Sequence, residues 1–331
     1  MFYKRARRLI VGAITLLLQL SIMLGGCSAI PKESNVPYYQ GFSVHFIDVG
    51  QGDSAFIKLP DGKTVLIDCG ICDDGVYKSI TSALAVYSVN KIDYLVLTHP
   101  DSDHVGNAYK IITDYQIGAV ISPNVYYPQN FESFNLAYQL IIEKEIPLIY
   151  ATFNQRFGTS EYAFTVLMPD APTIKDGVYA DYLSSSEPTD TQINNLSVVI
   201  YLEYAGVRFL FTGDMQYFAD GLLTDNYLAG IYNFNNGTDR GVNLNEIDFL
   251  KVAHHGAKDR SSEKVLSVVK PKNAVISVGG QNSYRHPSTE TITRLLTSNP
   301  ACNILRTDYY GDISVSVSNS GDISISTQSQ R

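Results

Sequence analysis

Residues 97–107 have the sequence LTHPDSDHVGN, which places His99, Asp101, Asp103 and His104 within six positions. The apolar run before them, IDYLVLT, predicts a buried strand, and Asp103 opens a predicted helix, so four nitrogen and oxygen ligands converge where a strand ends. Carboxylates and imidazoles crowded in this way repel and desolvate one another unless a cation neutralises them. The stretch therefore predicts a site for zinc, manganese or iron, with a solvated turn and an N-capping aspartate as the alternative.

Other histidines and a further aspartate also follow predicted strands. Asp214 ends FLFTGD, His254 and His255 end LKVAHHG, and His286 follows AVISVGG in the stretch YRHP. Of the six histidines, only His45 lies inside an alternating strand pattern. This grouping favours one shared site over scattered surface positions.

The order of predicted elements indicates the fold class. The runs FSVHFIDV, SAFIKL and KTVLID, separated by turn residues, predict an antiparallel meander, and strands then alternate with helices. We expect a helix from Asp103 through Tyr115, a long polar loop over residues 171–192, and a second half that closes with a C-terminal hairpin. Two such halves predict an α/β fold of two mixed sheets packed face to face, with helices outside.

Eight stretches in this order resemble one known family. They are FIDVGQGDS, VLIDCG, THPDSDHVGN, NNLSVVI, FLFTGD, LKVAHHGA, QNSYRHP and LRTDYYGDI. The chain is similar to the metallo-β-lactamase-fold superfamily, and in particular to the extracytoplasmic hydrolase domain of ComEC-type competence proteins. The resemblance covers nearly all of residues 42–331 and implies an αββα sandwich.

The resemblance also implies a role for each site residue. It implies His99 and Asp101 at one metal position, Asp103 and His104 at a second, and Asp214 between the two. One of His254 and His255 should complete the second position, and we favour His254. The residues expected to take part in the reaction are Asp103, His255 near the substrate oxyanion, and His286 as a ligand or proton donor. The side chains expected to support the ligands are Asp48, Gln51, Asp53, Asp68 and Asn195.

The chain departs from the wider superfamily at its first metal position. Asp101 stands where a histidine is usual, and Asn194 and Asn195 replace another histidine. The implied cofactor is a pair of divalent ions, zinc by the ligand types, with manganese as the alternative that the lost imidazoles favour.

The N-terminus predicts export and lipidation. Residues 1–26 combine a basic end with a short apolar run, as in a signal peptide, and LGGC resembles the lipobox of bacterial lipoproteins, with Cys27 as the lipidated residue. Residues 27–41 would then be a linker and residues 42–331 a hydrolase domain on the extracytoplasmic face of the bacterial membrane. An ordinary cleaved signal, giving a secreted protein, and an uncleaved signal anchor are the alternatives.

Charge and cysteine content restrict the function further. The leader holds four of the 25 basic residues and none of the 33 acidic ones, so its removal changes the formal net charge from −8 to −12. Such a surface is poor at holding nucleic acid outside a local groove. The four cysteines exclude a disulfide scaffold, and we expect Cys69 and Cys72 to be buried, with a disulfide between them as the alternative.

The pair of metal ions that the resemblance implies favours a phosphodiesterase that acts through a metal-bound hydroxide. Resemblance to competence proteins implies single-stranded DNA as the substrate, which would require a membrane channel partner. The compartment and the resemblance to phosphorylcholine esterases of the same fold imply instead a cell-envelope phosphodiester of the teichoic-acid type. A β-lactamase and a catalytically idle, tethered binding module are the alternatives. We also expect a lid or substrate-binding loop between Asp214 and His254, with Tyr227, Tyr232 and Phe234 as stacking or cation–π groups. A surface insertion without function is the alternative.

Overall fold

The computed structural model describes residues 41–124, 131–169, 189–232 and 241–328. These residues belong to one compact unit, Tyr38–Arg331. The predicted leader, the lipidation site Cys27, the linker up to residue 40, and most of the polar loop over 171–192 lie outside the described residues. In the described part of the chain, no helix has both the length and the apolar character needed to span a bilayer.

Fourteen strands are described. They are β1 (Phe42–Phe46), β2 (Ala55–Lys58), β3 (Thr64–Ile67), β4 (Lys91–Val96), β5 (Gln116–Ser122), β6 (Leu148–Tyr150), β7 (Tyr162–Met168), β8 (Val199–Tyr204), β9 (Val207–Phe211), β10 (Phe249–Lys251), β11 (Asn273–Ile276), β12 (Asn303–Arg306), β13 (Ile313–Val317) and β14 (Ile323–Thr327).

Nine α-helical segments are described. They are α1 (Asp74–Val86), α2 (Ser102–Val105), α3 (Ala108–Asp114), α4 (Glu132–Glu143), α5 (Asp190–Asn194), α6 (Tyr217–Leu228), α7 (Glu263–Val269), α8 (Thr289–Ser298) and α9 (Thr307–Tyr310).

The strands form two mixed sheets. The first has the order β14-β13-β1-β2-β3-β4-β5-β6, and the second has the order β12-β11-β10-β9-β8-β7. In each sheet an antiparallel part adjoins a parallel part, in which β3 to β6 or β9 to β12 run side by side. Parallel neighbours end at the same edge of their sheet, so the loops that follow them meet there.

The two sheets pack face to face through a core of aromatic and branched side chains. Phe42 lies 5.5 Å from Phe209, and Phe46 lies 5.8 Å from Phe211, measured between ring centroids. Burial of each such ring stabilises the fold by roughly 1.5–3 kcal/mol. Two further buried clusters join the outer faces of the sheets to the helices. The predicted αββα sandwich is thus confirmed.

The helix expected from Asp103 to Tyr115 is present as two segments, α2 and α3, which are separated at Asn107, where the backbone has φ −100° and ψ 8°. The predicted C-terminal hairpin is confirmed as β13 and β14, which pair antiparallel and extend the first sheet through β1.

Two predictions about side chains are wrong. Tyr232, expected to stack on substrate, is 1% exposed and packs on Phe153 with ring centroids 5.4 Å apart. Tyr227 is half-buried and its hydroxyl donates to Asn243, while Phe234 lies outside the described residues. Cys69 is buried as expected, but Cys72 is exposed, and both are free thiols.

Candidate metal centre

The candidate centre lies where strands of both sheets end. His99 follows β4 of the first sheet, and Asp214 and His254 follow β9 and β10 of the second sheet. His286 lies in the loop after β11. The loop between β1 and β2 covers the same end, because the Asp53 amide donates to the Asp103 carbonyl at 3.1 Å. Segments that are far apart in the sequence are thereby brought together.

Asp214 lies at the middle of this group of histidines and aspartates. One of its oxygens, Oδ1, lies 3.2 Å from Nε2 of His104. The other, Oδ2, lies 4.0 Å from Nε2 of His99, 3.6 Å from that of His254 and 3.7 Å from that of His255. Asp214 is 2% exposed, so water screens these contacts little. The aspartate expected between two metal positions is therefore in contact with four imidazoles.

The remaining acidic ligands expected from the sequence flank this middle. Oδ2 of Asp101 lies 3.5 Å from Nε2 of His99, and Oδ2 of Asp103 lies 3.2 Å from Nε2 of His255. Among the described residues, four sets of three have ligand atoms that all lie within 4.8 Å of one another. Two of these sets consist of the residues expected as ligands: His99, His104 and Asp214 form one, and Asp103, His104 and His255 form the other. The geometry thus offers two adjacent positions.

Hydrogen bonds on the outer side of the rings determine how His104 and His99 face the centre. Nδ1 of His104 lies 2.8 Å from Oδ2 of Asp68, and since a carboxylate only accepts, Nδ1 carries the proton. The Thr98 hydroxyl donates to Asp68 at 2.6 Å and therefore accepts from Nδ1 of His99 at 3.0 Å. Both rings consequently direct Nε2 inward.

His255 is oriented in the same way by a main-chain group. Its Nδ1 donates to the Ser277 carbonyl at 2.9 Å, so its Nε2 is the atom that faces Asp103 and Asp214. Three imidazoles thus direct nitrogen lone pairs toward carboxylate oxygens, an arrangement that is stable only with positive charge between them.

Buried atoms without partners support the fit of a metal ion. Among the residues that the structure describes, Nε2 of His99, Nε2 of His104 and Oδ1 of Asp214 are buried and have no hydrogen-bond partner. Buried polar atoms are normally paired, and a bound ion often satisfies those that lack a hydrogen bond. Imidazole nitrogen and carboxylate oxygen without thiolate are ligands for zinc, manganese or iron. The residues present therefore fit a divalent ion.

In the protein without metal, protons on the histidines supply the positive charge that the carboxylates of the centre require. Burial would lower the pKa of His104, but the charges of Asp214 and Asp68 hold it well above its usual range. Burial would also lower the pKa of His255, and Asp214 and Asp53 instead raise it to about 10. Burial would raise the pKa of Asp214, yet the surrounding histidines hold it well below its usual range. A metal ion that binds here would displace protons.

The geometry favours His255 over His254 at the second position, contrary to the preference expressed from the sequence. His255 is 1% exposed and contacts Asp103, whereas the side chain of His254 is 26% exposed and contacts Asp214 alone among the acidic residues of the centre. The two residues sit in a turn with φ angles of 52° and 53°, which rotates their rings 84° apart.

His286 lies at the rim of the centre. Its ring centroid is 5.8 Å from that of His254 and 6.5 Å from that of His255. Burial, together with His254 and His255, lowers the pKa of His286 to about 4. His286 is therefore neutral near pH 7, which suits a ligand or a proton acceptor better than a proton donor.

Three side chains expected to support the ligands have other contacts. The Asp48 carboxylate accepts from the Gly50 amide within its own turn at 3.2 Å. Gln51 accepts from the Gly279 amide at 3.3 Å and so joins two loops at the site. Asn195 accepts from the Ala219 amide at 2.9 Å and thereby anchors the start of α6.

Asp53 and a residue not foreseen from the sequence complete the group. The Lys251 ammonium donates to Asp53, and both side chains are buried. Burial would raise the pKa of Asp53, but the charges of Lys251, His255 and His104 hold it well below its usual range. A lysine at an inward-facing strand position is the signal that could have drawn attention to Lys251, since buried lysines are almost always paired.

Comparison with known proteins identifies a family and its relatives. The sequence model of the metallo-beta-lactamase superfamily matches residues 47–280. ComE operon protein 3 of Bacillus subtilis (strain 168) is 26% identical over 82% of this chain. Competence protein ComA of Neisseria gonorrhoeae is 25% identical over 83% of this chain. The chain spans 32% of the length of each of these two relatives.

Solved structures that match this chain in a comparison of folds have low sequence identity to this chain. The metallo-beta-lactamase fold protein YhfI from Bacillus subtilis is 10% identical, with a TM-score of 0.48 over 86% of this chain and 99% of that one. CmlA, a diiron beta-hydroxylase from Streptomyces venezuelae, is 11% identical, with a TM-score of 0.47 over 84% of this chain and 54% of that one.

Proposed function

The chain belongs to the metallo-beta-lactamase superfamily, a family of metallo-hydrolases whose fold binds divalent metal ions, and we propose that it is a phosphodiesterase. The observation that carries the proposal is the convergence of inward-facing imidazole nitrogens and carboxylates on Asp214. We propose zinc as the resident metal, with manganese as the alternative.

The ligand set supports two ions rather than one. His99, Asp101 and Asp214 would hold the first, and Asp103, His104, His255 and Asp214 the second. Two ions held by these residues would supply Lewis-acid activation of water and charge stabilisation for an in-line displacement at phosphorus. The chain itself holds the imidazoles in orientation through Asp68, Thr98 and the Ser277 carbonyl.

Asp101, at the first metal position, favours phosphodiesters over β-lactams. Asp101 lies beside His99, so a carboxylate takes a place that an imidazole usually takes in the superfamily. The extra negative charge holds a hard cation, which suits the negatively charged oxygens of a phosphodiester. As substrates we propose single-stranded DNA, delivered by a membrane channel partner, or a cell-envelope phosphodiester of the teichoic-acid type.

The proposed reaction is tested with substrates of both classes. Purified protein loaded with zinc or manganese should hydrolyse bis-p-nitrophenyl phosphate, lose this activity in a chelator, and regain it when metal is restored. Nitrocefin, a β-lactam, should remain intact under the same conditions. Faster turnover of nitrocefin would favour the β-lactamase alternative, and turnover of neither substrate would favour the binding module.

We further propose that Cys27 anchors the protein to the extracytoplasmic face of the membrane. Two acyl chains on one cysteine are enough for stable anchoring. In a bacterial host, the full chain should fractionate with membranes and incorporate labelled fatty acid, and Cys27→Ala should lose the label and leave the membrane fraction. A Cys27→Ala protein that remains with membranes would instead indicate an uncleaved signal anchor.

A further inference from the structure

Lys251 places a positive charge where the fold otherwise buries apolar side chains. Side chains alternate along β10, and Phe249, two residues earlier on the same face, belongs to the core between the sheets. Lys251 is 4% exposed and lines a small cavity with Phe46 and Phe211. A lysine is rarely tolerated in such a place without a specific partner.

The partner is Asp53, which contacts several parts of the metal centre. Lys251 Nζ donates to Oδ2 of Asp53 and to the Val252 carbonyl at 3.1 Å. The other carboxylate oxygen, Oδ1, lies 3.3 Å from Nδ1 of His255, while Oδ2 lies 3.9 Å from Nδ1 of His104. The Asp53 carboxylate thus lies behind two rings that face the centre.

The main chain of Asp53 ties the same residue to the loops of the centre. Its amide donates to the Asp103 carbonyl at 3.1 Å, and its carbonyl accepts from the Gly70 amide at 2.9 Å. The backbone of Asp53 is therefore fixed without help from Lys251. What Lys251 adds is control over where the Asp53 carboxylate points.

Stability alone gives little reason for an ion pair at this position. Well-packed apolar side chains of similar volume often replace a buried pair with no loss of stability, because desolvation of the two charges offsets their attraction. An Asp53 carboxylate behind His255 does have a use at a metal site, since carboxylates behind metal-binding histidines fix the ring and make its inner nitrogen a stronger ligand.

We propose that Lys251 is a positioning residue for the second metal position. It holds the Asp53 carboxylate 3.3 Å behind Nδ1 of His255, where the negative charge adds to the hydrogen bond from Nδ1 to the Ser277 carbonyl and makes Nε2, directed at Asp103 and Asp214, a stronger ligand. The inference rests on the proposed metal-dependent function and adds a residue that touches neither ion nor substrate.

Manganese titration of the full chain tests the role directly. Isothermal titration with Mn²⁺ is carried out on the wild type, on Lys251→Met, and on the control Lys272→Met, which removes a lysine paired at 2.8 Å with Asp248 away from the centre. We expect Lys251→Met to bind one of two ions about 10–100-fold more weakly, and the control to bind as the wild type does.

Urea unfolding of the metal-free proteins separates positioning from stability. A purely structural role would make Lys251→Met less stable and leave the Mn²⁺ affinity of the folded protein unchanged, and that result would overturn the inference alone. A wild type that binds neither Mn²⁺ nor, in a parallel titration, Zn²⁺ would overturn the proposed function together with the inference. The two failures are therefore distinguishable.

A second pair of variants covers the case in which Lys251→Met does not fold. Asp53→Asn combined with Lys251→Met leaves no buried charge unpaired. If Lys251 acts through Asp53, this double variant should bind Mn²⁺ with the same reduced affinity as Asp53→Asn alone. An affinity of the double variant equal to that of the wild type would contradict the role.

Discussion

Asp68 determines which nitrogen of two neighbouring histidines faces the centre. Its carboxylate accepts a hydrogen bond from Nδ1 of His104 directly and acts on His99 through the Thr98 hydroxyl. Asp68 is fully buried, so water does not compete for these hydrogen bonds. Both rings are thereby oriented in advance of metal binding.

Asp220 offers a pH-dependent test away from the centre. Its buried carboxylate accepts from the Ser262 amide at 2.7 Å and from the Ser262 hydroxyl at 2.6 Å. Burial raises the pKa of Asp220, and the bonds from Ser262 offset only part of that rise. Because the folded-state pKa is raised, the stability contributed by protonated Asp220 is full below about pH 4 and is lost as the pH rises through the folded-state pKa.

Asp220→Asn removes this titration and keeps both hydrogen bonds, since the Ser262 hydroxyl can also accept. We expect the free energy of unfolding of Asp220→Asn, relative to the wild type, to increase from pH 4 to pH 7. Each unit of pKa shift is worth about 1.4 kcal/mol. Urea unfolding of both proteins at several pH values measures the difference, and a difference independent of pH would contradict the assigned burial of charge.

The sequence predicts which residues are ligands better than it predicts how those residues are arranged in space. The cluster from His99 to His104 is local, so its spacing alone indicates a site. The choice between His254 and His255 depends on a turn with positive φ angles, which local patterns do not predict. Lys251 is not evident from the sequence because its partner, Asp53, lies 198 residues away along the chain.

The loop between β1 and β2 depends on glycine at one position. Gly52 has a φ angle of 150°, and a Cβ atom built there would lie 2.4 Å from the Asp103 carbonyl oxygen. Only glycine allows this loop to approach the metal-binding segment so closely. The same approach permits the hydrogen bond from the Asp53 amide to Asp103.

Gly52→Ala should therefore cost more stability than an alanine at a glycine with free space. Gly62 also has a positive φ angle, 85°, but a Cβ atom there would meet nothing within 4 Å. We expect Gly62→Ala to destabilise the fold by about 1 kcal/mol through backbone strain. Gly52→Ala should cost about 1–3 kcal/mol more because of the clash. Equal losses in urea unfolding would show that the close approach is not required.

Most strands are predictable because their apolar residues alternate or run continuously between turn residues. Helix α6 is not predictable in this way. From the sequence, the segment between Asp214 and His254 instead suggests a lid. Its buried face carries the polar residues Asp220, Thr224 and Asn226, so the apolar residues alone do not show helical spacing. Tertiary contacts, rather than periodicity, define this element.

The sandwich brings two sheet edges together at one end. The first sheet supplies the segment from His99 to His104, and the second supplies Asp214, His254 and His255. Neither sheet carries a complete ligand set by itself. The centre therefore depends on the packing of β1 against β9 in the core between the sheets.

The pairing of distant segments is the least predictable part of the fold. β13 pairs with β1, with Phe42 opposite Val317, although the sequence places this hairpin after the strands of the second sheet. Local propensity carries no information about which sheet a late hairpin joins. The layer arrangement is predictable, since it follows from the order of strands and helices and from the family resemblance.

We propose that the two sheets together hold a pair of metal ions around Asp214. Metal content by mass spectrometry of the purified full chain measures this most directly, with Asp103→Ala and Asp214→Ala as test variants and Asp220→Asn as a control at another buried aspartate. We predict about two zinc or manganese ions per chain in the wild type and the control, and a clear loss in both test variants. A wild type without bound metal, or an Asp214→Ala protein with undiminished metal content, would contradict the claim.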